Sequence, residues 1–123
     1  MYQLLKLLKE SKIVKDLDIL NFVDEEDIQV LYVKATLIDN SILYVRELNT
    51  VTENKYSYHW QTKTGKLICR WDNAPHYPQI KTFPHHKHEK SPKNVLPSEE
   101  ISLEKVLKLI SKKIKKEAIK DIN

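Results

Sequence analysis

All five prolines of this chain, at positions 75, 78, 84, 92 and 97, fall inside one stretch of the sequence. A proline lacks an amide donor and has a fixed φ, so strands admit it only at edges, ends or bulges and helices only in their first turn. Residues 73–97 are therefore expected to form an irregular loop, with the regular elements before and after it. The same stretch carries four of the five histidines, His76, His85, His86 and His88. The fifth, His59, and both tryptophans, Trp60 and Trp71, lie shortly before it. Histidine is the side chain whose unperturbed pKa, about 6.5, lies nearest neutrality. A fold has no reason to crowd its imidazoles in this way, whereas a reactive or ligand-binding site does. Loops beyond about 12–15 residues are uncommon unless functional or disordered, and Tyr77 and Phe83 offer anchors that would pin this one to the domain.

Outside that stretch the periodicities are regular. Leu4, Leu5 and Leu8 have helical spacing, which predicts a short amphipathic helix over Tyr2 to about Ser11. Ile13 to Val23, Ile28 to Ile38 and Ile42 to Leu48 are rich in β-branched residues and predict strands, with turns at Asp24-Glu25-Glu26-Asp27 and Asp39-Asn40-Ser41. In the second of these strands Val30, Tyr32 and Lys34 alternate with Leu31, Val33 and Ala35. Val51 to Thr62 and Lys66 to Asp72 read as a hairpin around Lys63-Thr64-Gly65, where the only glycine supplies a left-handed residue. After the loop, Ser102 can cap a helix, Glu104 suits its positive end, and Ile101 with Val106 can form a hydrophobic staple. Leu103, Val106, Leu107, Ile110 and Ile114 make its buried stripe. The expected fold is a single α+β domain over 1–123. It has an N-terminal helix, an antiparallel meander of about five strands, a Pro/His-rich loop and a C-terminal helix packed on the sheet. The lysine-dense tail, 111–123, is expected to fray.

At 123 residues the chain suits one hydrophobic core, and 41% apolar with 31% charged residues is an ordinary globular balance. The net charge of +4 favours an anionic partner without identifying it. A single cysteine, Cys69, excludes an intrachain disulfide and reads as a small buried apolar residue in a reducing, cytoplasmic setting. Lysines interrupt the leucines of Met1 to Lys12, so that segment is not expected to be a signal peptide. No window approaches the roughly 18 apolar residues of a membrane span, and no membrane association is expected.

Strand parity sorts the hairpin chemically. Tyr56, Tyr58 and Trp60 share one face with Leu67, Cys69 and Trp71, while Ser57, His59 and Gln61 share the other with Ile68, Arg70 and Asp72. The loop can then fold back to add His76, His85, His86 and His88. RNA backbone cleavage needs a base for the 2′-hydroxyl, an acid for the leaving oxygen and a cation for the anionic transition state. Two histidines and an arginine meet that need without a cofactor. The expected catalytic set is His59, Arg70, Asp72, His76, His85, His86 and His88. Either His59 or His86 is the base, another loop histidine the acid, and Asp72 orients an imidazole. Phosphate contacts are expected from Arg70, Lys87, Asn73, Lys112 and Lys116. Other readings stand beside this one. His85, His86 and His88 with His76 or Asp72 could bind Zn²⁺, Ni²⁺ or Cu²⁺ in a metal-dependent nuclease. Adjacent histidines rarely reach one tetrahedral site, however, and no metal or other cofactor is expected. Arg70 and Asp72 could be a structural ion pair, the lysines 112, 113, 115 and 116 a solvated helix face, and the whole a non-catalytic module that sequesters nucleic acid or protein.

Three strings, Tyr58-His59-Trp60-Gln61, Arg70-Trp71-Asp72-Asn73-Ala74-Pro75-His76 and Thr82-Phe83-Pro84-His85-His86-Lys87-His88, followed by Pro97-Ser98-Glu99 and Leu103-Glu104-Lys105-Val106-Leu107, resemble the TumE-type toxins of prokaryotic toxin–antitoxin modules. The resemblance implies a small cytoplasmic toxin encoded beside a helix-turn-helix antitoxin, which neutralises it and represses the operon. It carries over no established catalytic residues. A helix on an antiparallel sheet is also the general plan of RelE-like ribonuclease toxins, which is an analogy of fold alone. An RNA substrate is the expected target, and a homodimer is left open.

Overall fold

In the computed structural model, which describes residues 1–122, the chain forms one sheet flanked in sequence by a helix at each end. Helix α1 (Tyr2–Glu10) is followed by strands β1 (Val14–Asp24), β2 (Ile28–Leu37), β3 (Ile42–Thr50), β4 (Asn54–Gln61), β5 (Leu67–Asp72), β6 (His86–Glu89) and β7 (Val95–Pro97), then by helix α2 (Leu103–Ile122). Every strand pairs antiparallel with the next, in the order β1-β2-β3-β4-β5-β6-β7. The meander is the one expected, but it has seven strands, not about five.

The two extra strands correct the reading of 73–97 as wholly irregular. Residues 85–91 contain no proline, so β6 can offer amides to β5 along its length. Cys69 faces Glu89, Arg70 faces His88, Trp71 faces Lys87 and Asp72 faces His86. In β7 the one proline, Pro97, is the last residue of an edge strand, where no outward donor is required. Between β5 and β6 the chain closes in successive turns. Ile80 N–H donates to Tyr77 O, Phe83 N–H to Ile80 O and His85 N–H to Thr82 O. The Thr82 hydroxyl accepts from Ser98 N–H at 2.9 Å and so ties this loop to the segment after β7.

Both helices cover one face of the sheet. Period-2 alternation sends Leu31, Val33, Ala35 and Leu37 of β2 and Leu43 and Val45 of β3 to that face, and all are fully buried. Tyr58, Trp60, Cys69 and Trp71 continue the layer, as parity predicts, against Leu5 and Leu8 of α1 and Leu103, Val106, Leu107 and Ile110 of α2. Burial pushes the Cys69 thiol up to about 11, which suits a packing residue and not a nucleophile. Ser102 caps α2: its hydroxyl accepts from Lys105 N–H at 3.2 Å and its carbonyl from Val106 N–H at 3.0 Å. The helix does not fray at Ser111 but continues to Ile122, because Ile110 and Ile114 keep the apolar stripe against the core past the start of the lysine run. Asn123 lies outside the described residues.

Two of the turns carry residues suited to positive φ, Asn40 at 70° between β2 and β3 and Gly65 at 95° between β4 and β5, whereas Lys90 takes 64° after β6. After Asn40 the chain places Ser41 under the core, where its hydroxyl accepts the Trp60 indole N–H at 2.9 Å. Substituting Ser41→Ala strands that buried donor. The expected cost is about 1–3 kcal/mol, read as a lower denaturation midpoint with an unchanged circular dichroism spectrum.

Candidate active site on the open face of the sheet

The face away from the helices carries the chemistry. Antiparallel partners share a face, so the pairs Tyr32–Arg46, Tyr44–His59, Arg46–Ser57, His59–Arg70, Ser57–Asp72, Arg70–His88 and Asp72–His86 place all these side chains on one surface. The predicted grouping of His59, Arg70 and Asp72 is therefore present, and β6 adds His86 and His88 to it.

Asp72 is the hub. It is 5% exposed. Its Oδ1 accepts Ala74 N–H at 3.0 Å, which fixes the start of the loop, and its Oδ2 accepts Arg70 Nε–H at 3.0 Å. His86 Nε2 lies 3.0 Å from Oδ1, and His88 Nε2 lies 3.5 Å from Oδ2. The two imidazoles are 2% and 7% exposed. Their rings meet edge to face at 4.9 Å, and Tyr77 covers both, with ring centroids 4.9 Å from His86 and 5.8 Å from His88. Although His86 Nε2 is close to the carboxylate, it is misaligned for a hydrogen bond and has no hydrogen-bond partner. The ligand atoms of Asp72, His86 and His88 all lie within 4.8 Å of one another, and among the described residues this trio is a set that could hold a metal ion.

His59 occupies a different environment, half-buried beside the Arg70 guanidinium. Arg70 Nη1–H donates to its Nδ1 at 3.3 Å, which leaves Nε2 as the N–H that meets Gln61 Oε1 at 3.2 Å. Desolvation first, and the Arg70 charge second, hold its pKa below the ordinary value of 6.5. Around it, Tyr32, Tyr44, Arg46, Ser57, Gln61 and Arg70 line a cleft of about 340 Å³. Arg46 stacks on the Tyr32 ring at 4.2 Å. A neighbouring cleft of about 470 Å³ holds exposed His76 at its rim, and the two clefts share Arg46, Ser57 and Arg70. Arg46, Tyr32 and Tyr44 were not singled out as site residues in the sequence. The available signal was their parity: in β2 and β3 they alternate with the most buried leucines and valines.

The remaining candidates lie elsewhere. His85 precedes β6 with the opposite parity from His86, and its Nδ1 is 2.9 Å from the Tyr56 hydroxyl on the helix side of the sheet. Burial raises that phenol to about 12. Successive residues in a strand point to opposite faces, so the loop cannot bring His85 to its neighbours. Lys87 likewise faces α2 and pairs with Glu89 at 2.8 Å, holding that carboxyl below its usual range. Lys112 and Lys116 line the same helix-side groove as Lys87, with Trp60, Trp71 and Lys113, far from any imidazole of the open face by reason of the intervening sheet. Asn73 is a structural clamp: its Oδ1 accepts Tyr56 N–H at 3.0 Å and its Nδ2 donates to Asn54 O at 2.8 Å. A further cleft of about 550 Å³ on the helix side is lined by Glu47 and Glu100 and by no histidine.

The protein is thus a one-sheet α+β domain with both helices on one face and a polar, cation-bearing opposite face. The sequence matches the family described as Toxin TumE across residues 4–117, and the chain belongs to that family. Neither the comparison with curated proteins nor that with solved structures returns a match. Membership of a toxin family implies an antitoxin partner. No helix among the described residues is long and apolar enough to cross a membrane.

The burial of His86 and His88 under Tyr77 has a direct readout. Diethylpyrocarbonate is expected to acylate His76 and His85 while sparing His86 and His88, whose exposures are 2% and 7%. Tyr77→Ala should add the two β6 histidines to the modified set in peptide mass spectra.

Proposed function

We propose that this toxin cleaves RNA on the open sheet face, with His59 as base, His76 as acid, and Arg46 and Arg70 as the phosphate clamp. The observation that carries the reading is the pair of adjoining clefts. One contains His59, the other His76, and Arg46, Ser57 and Arg70 line both. An acid and a base on either side of two guanidiniums is what in-line transesterification of a phosphodiester requires.

In this mechanism a bound phosphate draws Arg70 from His59 to its non-bridging oxygens. That frees the Nδ1 lone pair, and the loss of the adjacent charge raises its basicity. His59 Nδ1 takes the 2′-hydroxyl proton as O2′ forms a bond to phosphorus. The P–O5′ bond breaks, and His76 delivers a proton to O5′. The products are a 2′,3′-cyclic phosphate and a 5′-hydroxyl end. Arg46 and Arg70 stabilise the extra negative charge on the equatorial oxygens, and the Tyr44 ring, 6.3 Å from His59, offers a face for a nucleobase. Asp72 holds Arg70 and does not exchange a proton with RNA. His86 and His88 act behind Arg70, since Tyr77 covers them. The antitoxin partner is a helix-turn-helix protein encoded beside the toxin, and the compartment is the cytoplasm.

Purified protein on a structured RNA tests the reading, with one outcome that supports it and two that overturn it. His59→Ala lowers cleavage by about 10²–10⁴-fold, the usual range for one acid–base group. Survival of cleavage in that variant, with loss in His85→Ala, would move the site to the helix face. Retardation of RNA without cutting between pH 5 and 9 would reduce the protein to a binding module.

The pH profile follows from the sign of the His59 shift. The base must be neutral, and its pKa lies below 6.5, so the acid limb of kcat/KM falls below pH 6.5, while the need for a protonated general acid at His76 makes the profile a bell and not a plateau. Arg70→Gln removes a cause of the depression and should move the acid limb to higher pH while lowering the maximum.

A further inference from the structure

We infer that Asp72, His86 and His88 form a binding site for a divalent first-row transition metal, of the Zn²⁺ class, at the β5–β6 junction. The argument begins with proton positions. His86 Nδ1 lies 2.9 Å from Pro84 O, and His88 Nδ1 lies 2.8 Å from Pro92 O. A carbonyl oxygen only accepts, so both Nδ1 atoms carry hydrogen. In the neutral rings both Nε2 atoms then present lone pairs, and both lie against the Asp72 carboxylate, at 3.0 and 3.5 Å. Two imidazole lone pairs against a carboxylate repel one another unless something cationic lies between them. One of the two, His86 Nε2, is buried and has no hydrogen-bond partner. Leaving such a group unsatisfied is costly, and native structures rarely do so without a reason.

A metal ion resolves the conflict with the donors already in place. Bonds of 2.0–2.1 Å from zinc to imidazole nitrogen or carboxylate oxygen imply donor–donor edges of about 3.3 Å around a tetrahedral ion. The 3.0 Å from His86 Nε2 to Oδ1 is close to that value, His88 Nε2 lies 3.5 Å from the other oxygen, Oδ2, and the three ligand atoms lie within 4.8 Å of one another. Two imidazoles and one carboxylate are a ligand set used by zinc and by non-haem iron. Nδ1–H donated to a backbone carbonyl is the usual outer-shell arrangement of a metal-bound histidine. The prolines have a part here: the two carbonyls that orient the rings belong to Pro84 and Pro92, which bracket β6. Arg70 shares Oδ2 with the site and is the competing cation, so the ion takes Oδ1 and the two Nε2 atoms, with at least one coordination position left for solvent. The inference is independent of whether the protein cuts RNA.

The test uses the whole chain, stripped with chelator and titrated with Zn²⁺ by calorimetry and with Co²⁺ by visible spectroscopy. One ion per chain is expected, with ligand-field bands of a nitrogen–oxygen site and a higher denaturation midpoint in Zn²⁺. His86→Gln and His88→Gln should weaken binding by more than the roughly 10–100-fold that loss of an outer-shell partner brings, whereas His76→Ala and His85→Ala retain the site. Absence of stoichiometric uptake overturns the proposal, as does uptake abolished by His76→Ala or His85→Ala instead. Should the glutamine variants lose their fold, NMR of the intact protein decides. Zn²⁺ must shift the Nε2 resonances of His86 and His88, and unshifted resonances, or imidazolium signals at neutral pH with no metal taken up, refute it. None of these readouts involves RNA, so failure here and failure of the cleavage mechanism are separately visible.

Discussion

The Asp72 carboxylate is the point at which the separate parts of this protein meet. It is almost wholly buried, and a buried carboxylate is tolerated only when its oxygens are met by donors or cations. The chain brings groups to it from three directions. The Ala74 amide fixes the start of the loop, Arg70 of the same strand reaches back along the open face, and β6 brings two imidazoles up against it. The pairing of β5 with β6 thus serves as more than a ladder of backbone bonds. It closes the far end of the sheet around a single negative charge and, through Arg70, ties that charge to the imidazole of His59.

From this hub the electrostatics grade outward. Next to Asp72 the rings of His86 and His88 are shielded by Tyr77 and locked at Nδ1 by carbonyls. One residue pair further across the sheet, His59 is only half-buried, is kept neutral by burial and Arg70, and opens into a cleft lined with cations and hydroxyls. The histidines of the open face therefore divide by their surroundings into a buried pair, on which the proposed metal site rests, and the half-buried His59, on which the proposed proton transfer rests. The helix face makes the same contrast from the other side. Tyr58 donates to Glu47 at 2.8 Å, and burial raises both of their pKa values, so that charge is disfavoured beneath α2 and concentrated on the open surface.

Much of this was legible in the residues. The alternation of β4 and β5 sorted Tyr58, Trp60, Cys69 and Trp71 from His59, Arg70 and Asp72 because a strand has only two faces, and Ser102 marked the start of α2 because an oxygen acceptor there satisfies an otherwise free amide. Two features misled. Proline density suggested a loop where β6 and β7 form, since the prolines flank β6 and end β7 and so cost no ladder bond. The neighbouring histidines suggested one cluster, yet the pleat that puts His86 and His88 beside Asp72 must send His85 and Lys87 through to the helix side.

Sequence alone therefore determined the two helices, the first five strands, the core layer, the polar face of the hairpin and the family, since these depend on local periodicity and on strings of contiguous residues. Tertiary structure decided which imidazoles share a charge, which are covered, and that Arg46, Tyr32 and Tyr44 stand beside His59. Those relations depend on the register between strands distant in sequence, and register is set by how the whole sheet packs on its helices.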